Sequence, residues 1–177
     1  RDRARDIARN NPYGKKAKRV FADNFIGTGI TPEPRATSDR LKKQIIEAWN
    51  EFAMNCDAEE NLDFCGIEAL VIRTIFESGE CFVRFRDRPA SEGLAVPFQL
   101  QVLEPDYLDS SRNIELANGY IRQGIEFDNS GRRRAYWMWP RHPGDTAYYR
   151  TPLQSTRIPA DQILHVYEKE RAGQIRG

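Results

Sequence analysis

The sequence is poor in soft metal ligands, with two histidines and three cysteines in 177 residues. His142 and His165 stand well apart, and neither a CxxC nor an HxxxH spacing occurs, so a zinc site has little to build on. Cys56, Cys65 and Cys81 are odd in number and irregularly spaced, which argues against a disulfide framework. They read as small buried hydrophobes of a reducing compartment. No apolar run approaches the roughly 18 residues of a membrane-spanning helix, and no signal peptide is visible. A phosphate loop is missing too: Gly27-Thr28-Gly29 follows a helical pattern, precedes prolines and lacks the Walker lysine. There is no internal repeat and no low-complexity tract. The sequence opens on Arg1 rather than methionine and closes on Arg176-Gly177, which reads as a piece of a longer chain.

What is present is a globular composition, 40% hydrophobic and 30% charged. The length suits one domain with its own core, or a domain plus an arm. The net charge of +1 hides an asymmetry: residues 1–19 carry +6 and the remainder −5. A basic arm on an acidic body suits nucleic acid or an acidic partner surface, a solvated helix face being the plainer reading. Lys15, Lys16, Lys18 and Arg19 are the candidate subunit or DNA contacts of this arm, and Arg132, Arg133 and Arg134 form a second basic group. No residue is assigned a catalytic, cofactor-binding or metal-binding role.

The pattern along the chain predicts helices first and a mostly antiparallel sheet afterwards, an α+β fold. Residues 1–10 suit a short helix. Asn11-Pro12 is an N-cap followed by the favoured first-turn proline, and Tyr13, Ala17, Val20, Phe21 and Phe25 recur at helical spacing up to Gly27. Thr31-Pro32-Glu33-Pro34 is a stiff linker. A helix is expected over 38–57 on the stripe Leu41, Ile45, Trp49, Phe52 and Cys56. Another is expected over 63–79, the most buried of the set, with Leu70 and Ile72 in the core. Alternation then predicts strands at 81–86, 98–102, 120–127, 133–139 and 163–167, with a short one at 148–150. Asp128-Asn129-Ser130-Gly131 is a hairpin turn.

The residues that suggest chemistry have plainer readings. Glu77/Glu80 and Glu104/Asp106 are acid pairs at a helix end and a turn, where acids serve solubility more often than catalysis. His165, in an apolar strand with Ile163 and Tyr167 on its face, reads as a histidine hydrogen-bonded to a neighbour. Tyr136-Trp137-Met138-Trp139 beside Arg132–Arg134 allows base stacking. Alternation instead places aromatics on both faces, as in a strand covered on both sides by helices or neighbouring subunits.

Several motifs, in order, resemble the portal proteins of lambda-like tailed bacteriophages. They are Arg9-Asn10-Asn11-Pro12-Tyr13, Gly27-Thr28-Gly29-Ile30, Glu77-Ser78-Gly79-Glu80-Cys81-Phe82-Val83-Arg84 and Leu100-Gln101-Val102-Leu103-Glu104-Pro105-Asp106. Gly124–Asp128, Arg141-His142-Pro143-Gly144-Asp145 and Leu164-His165-Val166-Tyr167 continue the series. The resemblance implies a structural ring subunit, typically one of twelve, at a capsid vertex, and not an enzyme. Double-stranded DNA passes through such a ring in packaging and ejection. Terminase, head-completion proteins and the major capsid protein are the implied partners, with no membrane and no cofactor. Assembly in the bacterial host cytoplasm and residence in the virion follow. Residues 1–30 are then a basic helical arm and residues 31–177 an incomplete wing-like domain, with stem, clip and crown beyond. The alternative is a nucleic-acid-binding module using the arm and the arginine-rich hairpin.

Overall fold

The computed structural model describes residues 2–145 and 153–177. Four helices come first: α1 (Asp2–Asn10), α2 (Pro12–Ile26), α3 (Asp39–Asn55) and α4 (Phe64–Ser78). The strands follow: β1 (Glu80–Asp87), β2 (Phe98–Leu103), β3 (Ile114–Leu116), β4 (Gly119–Arg122), β5 (Ile125–Asp128), β6 (Arg133–Met138), β7 (Thr156–Pro159) and β8 (Ile163–Tyr167). The α+β expectation holds, but there are two antiparallel sheets rather than one. The smaller has the order β2-β1-β8 and the larger is the meander β3-β4-β5-β6-β7. Among the described residues no helix is long and apolar enough to cross a membrane.

The helix ends follow the local chemistry of the sequence. The Asn11 side chain accepts from the Tyr13 and Gly14 amides at 2.8 and 3.3 Å, and Pro12 needs no donor in the first turn. Asp63 caps α4 by accepting from the Gly66 amide at 2.8 Å, and Gly79, at φ 81°, closes it in the left-handed region. Gly14 lets α1 and α2 meet at a tight corner, because a β-carbon there would stand 2.3 Å from the Ile7 carbonyl oxygen.

The core lies between the two sheets. Phe82, Leu103 and Ile163 of the smaller sheet pack on Ile125, Phe127, Tyr136, Met138 and Ile158 of the larger. The other face of the smaller sheet is covered by α4. Cys81, Phe82 and Val83 are therefore all buried, and the alternation expected of this strand fails at its start. Burial, moderated by the Thr74 hydroxyl, pushes the Cys81 thiol up to about 12. Cys56 is buried as well, but Cys65 is exposed, contrary to the reading of all three as core residues.

Three further differences have local causes. Residues 120–127 form two strands, not one: Gln123 and Gly124, at φ 49° and 79°, make a two-residue hairpin turn. β3 and β7 have three and four residues, too short for a periodic signal. The strand expected at 148–150 lies outside the described residues. α4 is the most buried helix, with Ile67, Thr74 and Ser78 inside, yet Leu70 and Ile72 are only half-buried. In α3 only the C-terminal half of the apolar stripe finds partners: Trp49 and Phe52 pack on Phe64, and Phe52 on Phe98. Leu41 and Ile45 are exposed, as are Tyr13 and Val20 of the α2 stripe. The face of α2 that meets α4 carries Phe21 and the buried Ala22.

The placement of the core yields a contrast. Phe82→Ala is expected to cost about 3–5 kcal/mol, whereas Leu70→Ala should stay below the ~2 kcal/mol lower end for buried leucines. Urea unfolding of the two variants checks this, and an equal or larger loss for Leu70→Ala contradicts the placement.

Candidate functional site

Two networks of charged side chains organise the molecule, and both converge on the corner where α4 turns into β1. The first is built around Glu80, whose side chain is fully buried. Its carboxylate accepts from Arg176 through Nε at 2.9 Å and Nη2 at 2.6 Å, from the Gly177 amide at 3.1 Å, and from His165 Nε2 at 2.9 Å. Strand pairing brings these groups together, because Glu80 is opposite Tyr167 and Phe82 opposite His165. The His165 ring lies between Phe82 and Tyr167, with centroids 4.3 and 4.5 Å away, and meets the edge of Tyr136. Its Nδ1 is buried without a hydrogen-bond partner. The ring is therefore neutral with its proton on Nε2. Burial holds its pKa below the ordinary 6.5, against the opposing pull of the Glu80 hydrogen bond. His165 thus bonds to a neighbour, as its strand context suggested. Glu80 is a buried structural carboxylate, not one of a solubilising pair.

The second network ties the basic N-terminal segment to the same corner. Lys18 forms an ion pair and hydrogen bond with Glu77. Arg9 lies 3.6 Å from Glu77 and 3.6 Å from Glu104. Arg5 donates to the Ser78 hydroxyl at 3.0 Å and pairs with Asp106. The acids of the two pairs singled out in the sequence are thus each engaged by a cation. Glu104, Asp106 and His142 do bring ligand atoms within 4.8 Å of one another. With Arg5 and Arg9 on those carboxylates, the charge that would hold a cation is already balanced.

The seven candidate contact residues divide between inward and outward roles. Lys15, Lys16 and Arg19 are exposed, Arg19 lying 3.8 Å from an equally solvated Asp23. Lys18 is committed to Glu77. Arg132 is exposed in the hairpin turn, where its amide donates to the Asp128 carboxylate. Arg133 points inward, donating to the Tyr167 hydroxyl at 2.7 Å and the Ile175 carbonyl at 3.0 Å. Arg134 is exposed. Among the described residues no hydrogen bond or ion pair joins the α2 group to the hairpin group.

The aromatic strand β6 is also accounted for by packing. Tyr136 and Met138 enter the core. Trp137 is covered by the Arg112 guanidinium, 3.7 Å from its ring centroid, and donates to Glu126 at 3.2 Å. Arg157 grips the same carboxylate through two bonds of 2.9 and 2.8 Å and holds its pKa below the usual range. The outer face of this strand is thus covered by an arginine, where helices or neighbouring subunits were expected. Pattern reading missed Arg112, Glu126, Arg157 and Arg176, which meet their partners only in the tertiary fold.

The buried and half-buried charged groups of this mixed fold hold its elements together, as in a scaffold domain. The chain belongs to the lambda family of phage portal proteins: the family described as "Phage portal protein, lambda family" matches residues 1–177. This bears out the resemblance carried by the motifs. The chain is 33% identical over 188 residues to the "Probable portal protein" of Halomonas phage phiHAP-1, covering 100% of this chain. It is 25% identical over 211 residues to the "Portal protein" of Escherichia phage N15, and 24% over 201 residues to the "Portal protein B" of Escherichia phage lambda, covering 99% of this chain in each case. The chain spans 36% of the length of each of these relatives. The family is structural rather than catalytic.

Two measurements test the Glu80 network. Glu80→Ala leaves Arg176 and His165 buried without their acceptor, so a loss of about 3–5 kcal/mol is expected in denaturant unfolding. The lowered pKa of His165 sets the sign of the pH effect: below 6.5 the unfolded chain takes up a proton that the folded chain refuses. Stability is full above 6.5 and falls as the pH drops from there toward the folded-state pKa. His165→Gln retains a donor for Glu80 and removes the titration. The wild type should lose more stability than this variant on acidification, and parallel pH profiles would contradict the assignment.

Proposed function

We propose that this chain forms part of a ring subunit at the capsid vertex of a tailed phage, the conduit through which double-stranded DNA is packaged and ejected and to which the tail connects. The observation that carries this reading is the match to phage portal proteins from one end of the chain to the other. The side-chain networks support it. Glu77, Glu80, Glu104 and Asp106 are held by lysine, arginine or histidine partners, so these carboxylates act as fasteners rather than as acids and bases awaiting a substrate. The role is accordingly non-catalytic and located in the virion, with assembly in the host cytoplasm. Residues 31–177 are read as a wing-like domain and residues 1–30 as its basic helical arm. Further copies in a ring of twelve, terminase, head-completion proteins and the major capsid protein are the proposed partners. The exposed Lys15, Lys16, Arg19, Arg132 and Arg134 are the proposed contact residues for a subunit or for DNA, with Lys18 and Arg133 serving inside the fold.

The test is negative-stain electron microscopy and mass measurement of the intact protein. Closed rings with a central channel, of about twelve copies as in the family, are expected. A stable monomer at micromolar concentration, or an open filament, would overturn the reading.

A further inference from the structure

We propose that successive copies pair head to tail through the two ends of the α2/α4 layer, with Lys15, Lys16 and Arg19 of one copy set against Glu59 and Glu60 of the next. This rests on the ring reading above and names the partner of its basic residues.

α2 runs antiparallel along α4. Lys18 reaches Glu77 near the end of α4, Phe21 packs on Phe76 with centroids 5.2 Å apart, and a β-carbon at Gly29 would stand 2.8 Å from the Cys65 sulfur near its start. The exposed lysines therefore sit at the C-terminal end of α4. The acidic loop 57–63 leads into its N-terminal end. Asp63 and Glu77 lie fourteen residues apart along the helix, about 21 Å at the helical rise. That exceeds two screening lengths of ~8 Å at physiological salt, so the two ends do not neutralise each other within one copy. Among the described residues Lys15, Lys16, Glu59 and Glu60 form no ion pair, while Arg19 has only the solvated Asp23 at 3.8 Å, and Arg88, at the Ala58 carbonyl, is paired with Glu92.

Both ends are preformed, which lowers the ordering cost of contact. The acidic loop is fixed by the buried Asp57, whose carboxylate accepts from the Glu59, Asn61 and Leu62 amides at 3.1, 3.0 and 3.0 Å. The basic end is held to α4 by Lys18. Each end also offers apolar surface for burial: Tyr13 and Val20, 83% and 47% exposed, beside the lysines, and Met54, 68% exposed, beside the loop. An isologous contact could pair the same ends crosswise, but it is complete at two copies and builds no ring. The complementary ends favour a heterologous one, which repeats in one direction and closes when the rotation per copy permits.

The experiment uses the intact protein with two exposed-surface variants. The first is Lys15→Glu/Lys16→Glu/Arg19→Glu and the second Glu59→Lys/Glu60→Lys. Circular dichroism melting monitors their folding. Alone, each variant should show a drop of about tenfold or more in the ring population at physiological salt, because it faces like charge at every contact. Mixed in equal amounts, they should form alternating rings, since each then meets an opposite charge on both sides. Rings from either variant alone at the wild-type level, or no rings from the mixture of two folded variants, would overturn the pairing. If the first variant keeps its rings and instead loses salt-sensitive binding to a double-stranded DNA probe, the basic end serves DNA and the pairing falls. A wild type without rings would sink the portal-ring reading itself, a result distinct from failure of the swap.

Discussion

The buried carboxylate of Glu80 is the constraint from which much of the rest follows. A charge removed from water costs several kcal/mol unless opposite charge and hydrogen bonds replace the lost solvent. Four donor contacts do so here: two from Arg176, one from His165 and one from the Gly177 amide. Each donor belongs to a different part of the molecule from Glu80 itself. The requirement to satisfy one carboxylate therefore docks β8 on β1, folds the segment after Tyr167 back onto the end of α4, and fixes the proton of His165 on Nε2. The histidine's second nitrogen lacks a partner within an otherwise aromatic cage. That arrangement is tolerable only while the ring stays neutral.

How far the fold was legible depended on whether a segment was long enough to show its period. The helices and the longer strands announced themselves through caps, glycine stops and alternation. β3 and β7 did not, with three and four residues. The β4–β5 turn was hidden because its first residue is Gln123, held at φ 49°, a conformation that no glutamine advertises. Periodicity also carries no information about what covers an apolar stripe. The stripe of α3 is real, yet its first half projects Leu41 and Ile45 into solvent, while Trp49, Phe52 and the buried Cys56 at its other end reach α4 or β2.

The candidate contacts show the same limit in terms of charge. A count over residues 1–19 treats all eight basic side chains alike, but geometry assigns them opposite tasks. Lys18 shares the α4-facing side of α2 with Phe21 and Ala22, three and four residues on, and so meets Glu77. Lys16 and Arg19 lie off that side, and Lys15, one turn before Lys18, is exposed. In β6 a bulge breaks the period of two: Ala135 is opposite Glu126 but Arg133 opposite Phe127, so Arg133 turns inward to Tyr167 and Arg134 stays outside. The wheel marks Lys18 only as a neighbour of Phe21 and Ala22, and the bulge hides Arg133 from the alternation. Glu80 and Arg176 were not legible as a pair: they are 96 residues apart and meet because the segment after β8 folds back to the start of β1.

Both networks end on the same few residues. Glu77 and Ser78 receive Lys18, Arg9 and Arg5 from the N-terminal helices, while Glu80, two residues on, receives Arg176 from the other end of the chain. The α4–β1 corner is consequently a shared anchor: displacing either terminal segment strips charge partners from carboxylates within one turn of each other. Hydrophobic packing in the helical layer is not enough to do this alone, because α2 buries only Ala22 fully and α3 buries nothing fully. The sheets hold the core, and the ion pairs at the corner hold the layer that the core does not reach. This division of labour applies to α1 and α2, whose charge partners have definite directions. α3 is placed instead by Trp49 and Phe52 on Phe64 and Phe98, its ion pairs among the described residues lying within the helix.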